Sequence, residues 1–149
     1  MLNIVNKTVD KSYRKYDEDL HNLFNDIISH FELDENDLTV ILVKDKYMRK
    51  INKQYRNKDY ATDVISFANE DDSLEENYNY LGDIFINVEA TNRQAIQLGH
   101  SYRREYSFLF MHGMLHCLGF DHIKKEDEVI MIEKQKEIIE GRTYLDEEI

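Results

Sequence analysis

Phe108-Leu-Phe-Met-His112-Gly-Met-Leu-His116-Cys-Leu-Gly119-Phe-Asp-His122 is the stretch whose reading decides the fold. His112 and His116 are four residues apart, so a helix places them on one face, about a turn from each other. Leu109, Met111, Leu115 and Leu118 around them are apolar, which predicts a buried helix. Gly119 is the expected stop, because glycine takes the left-handed conformation that turns the chain back at a helix C-terminus. That turn would return His122 towards the helical pair. Three neutral imidazoles converging on one point, with a fourth position left for water, are the ligand set of a catalytic zinc site. One histidine on an apolar helix is ordinary core; three of the six histidines in the spacing HxxxHxxGxxH read as metal ligands.

The same spacing occurs in one class of zinc peptidases, where a Glu after the first His acts as general base. Here that position is Gly113. The helix is therefore zinc-peptidase-like in its ligands and lacks the peptidase base. Zinc lowers the pKa of its water to roughly 7, which suits attack on an ester or phosphodiester. The stretch predicts a metal-dependent hydrolase with peptide cleavage disfavoured.

Working outward, Ser101 is the expected N-cap of this helix, with Glu105 four residues on. Before it, a helix from Val88 to Leu98 is ended by Gly99, and Leu81 to Val88 reads as a strand in which Gly82 marks a bulge or close backbone approach. Asp63 to Phe67, Leu38 to Val43 and Leu2 to Val5 read as further strands. Apolar residues at Leu20, Leu23, Phe24, Ile27, Ile28 and Phe31 predict a helix within Asp10 to Phe31. Asp45 is expected to cap a helix from Lys46 to Tyr55 with Tyr47, Met48 and Ile51 inward. Asn69 to Asn79 reads as an acidic surface loop. A last helix from Asp127 to Glu140, with Val129, Ile130, Ile132, Ile138 and Ile139 apolar, is ended by Gly141 before a frayed tail. The fold class is α+β, a mixed β-sheet packed with helices in a single domain over residues 1–149.

Composition bounds the function. Apolar content of 42% with 33% charged residues is that of a folded soluble chain. Cys117 is the only cysteine, so there is no disulfide partner within the chain, and a reducing, cytoplasmic location is expected. No signal peptide or membrane span is legible. The net charge of -11 argues at first sight against nucleic acid. Its distribution matters more: Lys44 to Lys58 holds seven basic residues and one acid, Asp45. The basic helix within that run is by default a solvated face.

A second polar block, Asn52-Lys-Gln-Tyr-Arg56-Asn-Lys58-Asp59-Tyr-Ala-Thr62-Asp63-Val-Ile-Ser66-Phe67, leads into a strand. Loops held at strand ends commonly carry functional side chains. Arg56 offers a permanent planar charge for a phosphate in the transition state; equally, Arg56 and Lys58 are ordinary solvated loop residues and Asp63 a turn residue. Thr62 and Ser66 read as structural.

These two blocks, with Leu81-Gly82-Asp83-Ile84 between them, resemble the YbeY family of bacterial endoribonucleases in order along nearly the whole chain. The resemblance implies one zinc ion per chain held by His112, His116 and His122, and places the family's arginine at Arg56. It places Arg56 in catalysis or RNA engagement, and implies a part in maturing the 3′ end of 16S rRNA and in ribosome quality control. The nuclease reading built on it takes Arg56 and His116 as catalytic, single-stranded RNA as substrate, and the small ribosomal subunit and its proteins as partners. The family's fold is a mixed sheet with helices, akin to the zinc peptidases. Two residues depart from the pattern. Cys117 stands where an aliphatic residue is usual and reads as core filling, and Phe120 lacks a hydroxyl that is common there. Asp121 either orients an imidazole or holds the turn. Asp63, Asp83 and Asp121 are general-base candidates if the fold brings them close. Two other readings stand beside the nuclease: a metal-dependent peptidase or amidase, and a non-catalytic ribosome-assembly factor with structural zinc.

Overall fold

Four strands make one sheet in the spatial order β1-β2-β4-β3. β1 (Leu2–Asn6), β2 (Asp37–Val43) and β4 (Tyr80–Asn87) run parallel, and β3 (Val64–Ala68) pairs antiparallel with β4 at the edge. The computed structural model describes residues 1–69, 79–121 and 124–140. Within these residues five helices accompany the sheet: α1 (Asp17–His30), α2 (Asp45–Arg56), α3 (Val88–Leu98), α4 (Tyr102–Cys117) and α5 (Lys125–Ile139). Among the described residues no helix is long and apolar enough to cross a membrane.

The period-two alternation of each strand divides the sheet residues between two layers. Leu38, Val40 and Leu42 of β2, with Ile84 and Ile86 of β4, pack against α1, α4 and α5 in the larger core. Ile41, Val43 and Ile65 point the other way, against Met48 and Ile51 of α2. A strand covered on both faces carries a nearly continuous apolar run, as Leu-Thr-Val-Ile-Leu-Val does here. Among the described residues α2 thus stands alone on its side of the sheet, and α4 is the central helix of the other.

Gly82 is needed for two reasons. Its φ is +147°, and a Cβ there would lie 2.3 Å from the Phe67 carbonyl oxygen across the β3–β4 pair. The β2–β4 register slips beside it, between Asp37 and Leu38, so the expected bulge and the close approach coincide.

Several local expectations are corrected. The first helical segment is split: Lys11–Tyr16 is a 3-10 turn opened by Asp10, whose carboxylate accepts from the Ser12 N–H, and only then does α1 begin. A 3-10 turn aligns residues three apart. This presents Tyr13 and Tyr16 together to the Tyr102 ring, at 5.9 and 5.1 Å between centroids. Asp45 does not cap α2; Lys44 holds the cap position, and the Asp45 carboxylate accepts from Arg93 (2.7 and 2.8 Å) and Asn87 (2.7 Å), tying α2 to α3. Tyr47 is 40% exposed rather than inward. On α5 the buried residues are Met131 and Ile138, while Val129, Ile130 and Ile132 face solvent. Most of the predicted acidic loop, at 70–78, and Gly141 with the tail lie outside the described residues.

Candidate functional site

α4 is fixed at both ends by its own sequence. The Ser101 hydroxyl accepts from the Arg104 N–H at 3.1 Å. At the other end Gly119 (φ +100°) donates to the His116 carbonyl and Phe120 to the Leu115 carbonyl, each at 3.0 Å. This is the paired-bond stop that a left-handed glycine permits. Met111, Met114 and Leu115 are fully buried, so the helix cannot rotate and its histidine face is set by packing.

The position after His112 is closed to a larger residue. A Cβ on Gly113 would come within 2.8 Å of Ile84 Cγ2 and 3.0 Å of Ser66 Oγ, both on the sheet beneath. Ile84 is buried and its branched carbon has no room to yield. Gly113 therefore lets α4 approach the sheet, and the carboxylate of the peptidases has no space here. Gly113→Ala is expected to destabilise the fold by about 1–2 kcal/mol, the cost of overpacking less the helix preference for alanine, read as a lower urea midpoint at unchanged slope.

His112 and His116 converge. Their Nε2 atoms lie 3.1 Å apart, with the rings nearly perpendicular at 79°. Two imidazole nitrogens bound at 2.0–2.1 Å in tetrahedral geometry would stand about 3.3 Å apart, so this donor pair fits a zinc ion. His112 Nδ1 lies 2.8 Å from Gln135 Oε1 on α5. An amide oxygen there accepts the Nδ1 proton and leaves the Nε2 lone pair facing His116. His122 lies outside the described residues, and among the described residues no group of three or more metal-capable side chains is assembled.

The second block reaches the same place. His112, His116, Arg56, Asp63 and Asp121 all line one cleft of about 820 Å³ between α4, β3 and the segment after α2. That segment is held at several points. Asn57 takes the left-handed cap of α2, buried Asn52 donates to the Tyr60 carbonyl at 2.9 Å, and Arg49 makes a two-point bond to Asp59 at 2.8 and 3.2 Å. Arg56 reaches the Ser66 carbonyl by one long contact of 3.4 Å and is otherwise exposed to the cleft.

The three acidic candidates separate. Asp83 lies on the α2 side of β4, bonded to the Tyr80 hydroxyl, and does not line the cleft. Asp63 lines it, but its carboxylate accepts from Val64 N–H (2.7 Å), Thr62 Oγ1 (3.3 Å) and Gln94 Nε2 (3.0 Å), so it anchors the turn. Asp121 follows the α4 stop at the cleft wall. Cys117 points towards Gly82, and burial pushes its thiol up to about 12, which keeps it a neutral packing group.

Two residues of the site were not singled out by the sequence reading. Gln135 comes from another helix, and no spacing links it to His112. Glu105 was legible, since it sits seven residues before His112 and two turns give the same face. It is buried in the cleft wall, where desolvation raises its pKa against the opposing effect of His100, 3.5 Å away.

The profile of the family described as Endoribonuclease YbeY matches residues 3–142. The chain belongs to the YbeY endoribonuclease family. It is 47% identical to an Endoribonuclease YbeY of Bacillus licheniformis over 113 residues, covering 71% of this chain and 72% of that one. It is 52% identical to an Endoribonuclease YbeY of Ureaplasma parvum over 97 residues, 65% of this chain and 61% of that one. A solution structure of a Thermotoga maritima protein superposes with a TM-score of 0.67 at 26% identity, over 94% of this chain and 87% of that one. Membership in the YbeY family makes the chain an RNA-cleaving hydrolase, and the α+β mixed sheet is the expected fold.

Proposed function

We propose that the cleft cuts single-stranded RNA with the help of one zinc ion, and that the chain acts in maturing the 3′ end of 16S rRNA beside the small ribosomal subunit in the cytoplasm. The observation that carries this reading is the convergence of His112 and His116 at 3.1 Å in a cleft that also holds Arg56. His112 and His116, with His122 as the third ligand, would hold the metal, which when bound supplies Lewis-acid stabilisation of charge at the scissile phosphate. Gln135 keeps the His112 tautomer that offers Nε2 to the site. Arg56 offers two N–H donors to a phosphate from the opposite wall. Tyr60, 53% exposed at the cleft, is placed to stack on an unpaired base, which favours a single strand over a duplex. Incubating the purified chain with a single-stranded RNA and its annealed duplex tests the reading. Cleavage of the single strand alone is expected, and equal cutting of both would overturn it.

Removing the amide that orients His112 should weaken the metal without emptying the site. Gln135→Leu is expected to lower zinc affinity by about 10–100-fold, read by competition with a chromogenic chelator, because such outer partners fix ring orientation and basicity. An affinity equal to wild type would show that Gln135 is packing only.

A further inference from the structure

Along α2 lies a second open hollow of about 550 Å³. Lys7, Lys44, Lys46, Lys50 and Lys53 surround it, over a floor of Val43 and Tyr47. All five lysines are exposed, and none makes a salt bridge among the described residues. Arg49 also lines the hollow but is paired with Asp59. Five cations gathered in one groove stand out in a chain of net charge -11, because they reverse the sign of the field locally.

The groove and the cleft share α2. Lys46, Lys50 and Lys53 recur at helical spacing on one face, and Arg56, one turn beyond Lys53, is already a cleft residue. The run from Lys46 to Arg56 covers about 15 Å of helix. Exposed aromatic rings stand in it and just beyond it, with Tyr47 in the groove and Tyr60 at the cleft. Tyr47 packs one side against Phe85 and has Lys7 5.8 Å from its centroid. A line of cations interleaved with exposed rings fits a polyanion carrying unstacked bases.

We propose that this groove is a docking track for the same RNA strand whose scissile phosphate lies in the cleft: the lysines hold the backbone on one side of the cut and Tyr47 stacks on a base. The track rests on the endoribonuclease reading, because the continuity with Arg56 selects RNA over an acidic protein. It explains how an acidic chain holds an acidic substrate. Attraction is concentrated along α2 and the Lys7 and Lys44 beside it, so strands are captured there and led to the cleft.

The test compares wild type with the triple variant K46E/K50E/K53E on a labelled single-stranded RNA of about 30 nucleotides, which outreaches the cleft, and on a tetranucleotide, which does not. For the long RNA the variant's KM is expected to rise about tenfold or more at low salt, with a shallower dependence on salt, as phosphate contacts are lost. For the tetranucleotide kcat/KM should stay within about twofold, since the cleft is untouched. Anisotropy of the labelled long RNA reads the groove without turnover. Wild type that binds but does not cut would count against the proposed cleavage alone, whereas equal binding by wild type and variant would overturn the track. Binding of poly-glutamate by wild type but not by the variant, with RNA affinity equal in both, would assign the groove to an acidic protein and also overturn it. K46Q/K50Q/K53Q should show a smaller change in the same direction, and thermal melting checks that both variants fold.

Discussion

His116→Ala is expected to reduce RNA cleavage by about a thousandfold or more, some 4 kcal/mol of lost transition-state stabilisation, and to leave zinc well below one equivalent. Both effects follow from one geometry. With Nε2 of His116 removed, the 3.1 Å pair becomes a single imidazole on α4, and the proposed three-histidine site would lose one ligand and most of its affinity with it. The ring is only half-buried and belongs to neither apolar core, so the fold should survive; α4 remains held by Met111, Met114 and Leu115. The measurement pairs cleavage of a single-stranded RNA with elemental analysis of protein purified without added metal. Loss of zinc with cleavage intact would show that the cut does not depend on the metal and would overturn the zinc-assisted reading. Retention of both would remove His116 from the site. The peptidase reading faces a different obstacle: it needs a carboxylate where a Cβ alone already presses on Ile84 and Ser66.

What was legible in the sequence follows from how local each feature is. The α4 stop, the Ser101 cap, the end of α3 at Gly99 and the tight place at Gly82 are set by one or two residues whose conformational needs are written in their identity. The histidine pair was legible because helical spacing alone brings positions 112 and 116 together. The Tyr13–Tyr16 turn was not, since helical apolar spacing continues through it and only the distant Tyr102 and Tyr106 rings select the tighter winding. Asp45 looked like a cap because its sequence partner, the start of α2, is adjacent; Arg93, its real partner, is 48 residues away. Val129, Ile130 and Ile132 looked like core because composition does not say which side of α5 meets α1 and α4. Asp83 failed as a base candidate for the same reason in β form: strand parity at the Gly82 bulge, not proximity in sequence, decides its face.

Arg56→Ala is expected to lower kcat by about 10²–10³-fold, equivalent to about 2.7–4 kcal/mol, the usual cost of removing a preorganised group that meets developing charge. Among the described residues its side chain reaches only the Ser66 carbonyl, at the long distance of 3.4 Å, and it is exposed. Stability should therefore change by no more than about 0.5 kcal/mol, which separates a lost catalytic group from a damaged fold. Arg56→Lys keeps a positive charge on a flexible stem but loses the planar two-donor fork, so it should recover only part of the rate. The division of the effect is the sharpest part of the test. An arginine that merely attracts RNA would raise KM and leave kcat alone, as the α2 lysines are expected to do for a long strand. An arginine that stabilises the transition state lowers kcat for the tetranucleotide and the long RNA alike. Equal kcat in Arg56→Ala and wild type on both substrates would make Arg56 the last member of the docking track and place the chemistry on the histidine side of the cleft alone.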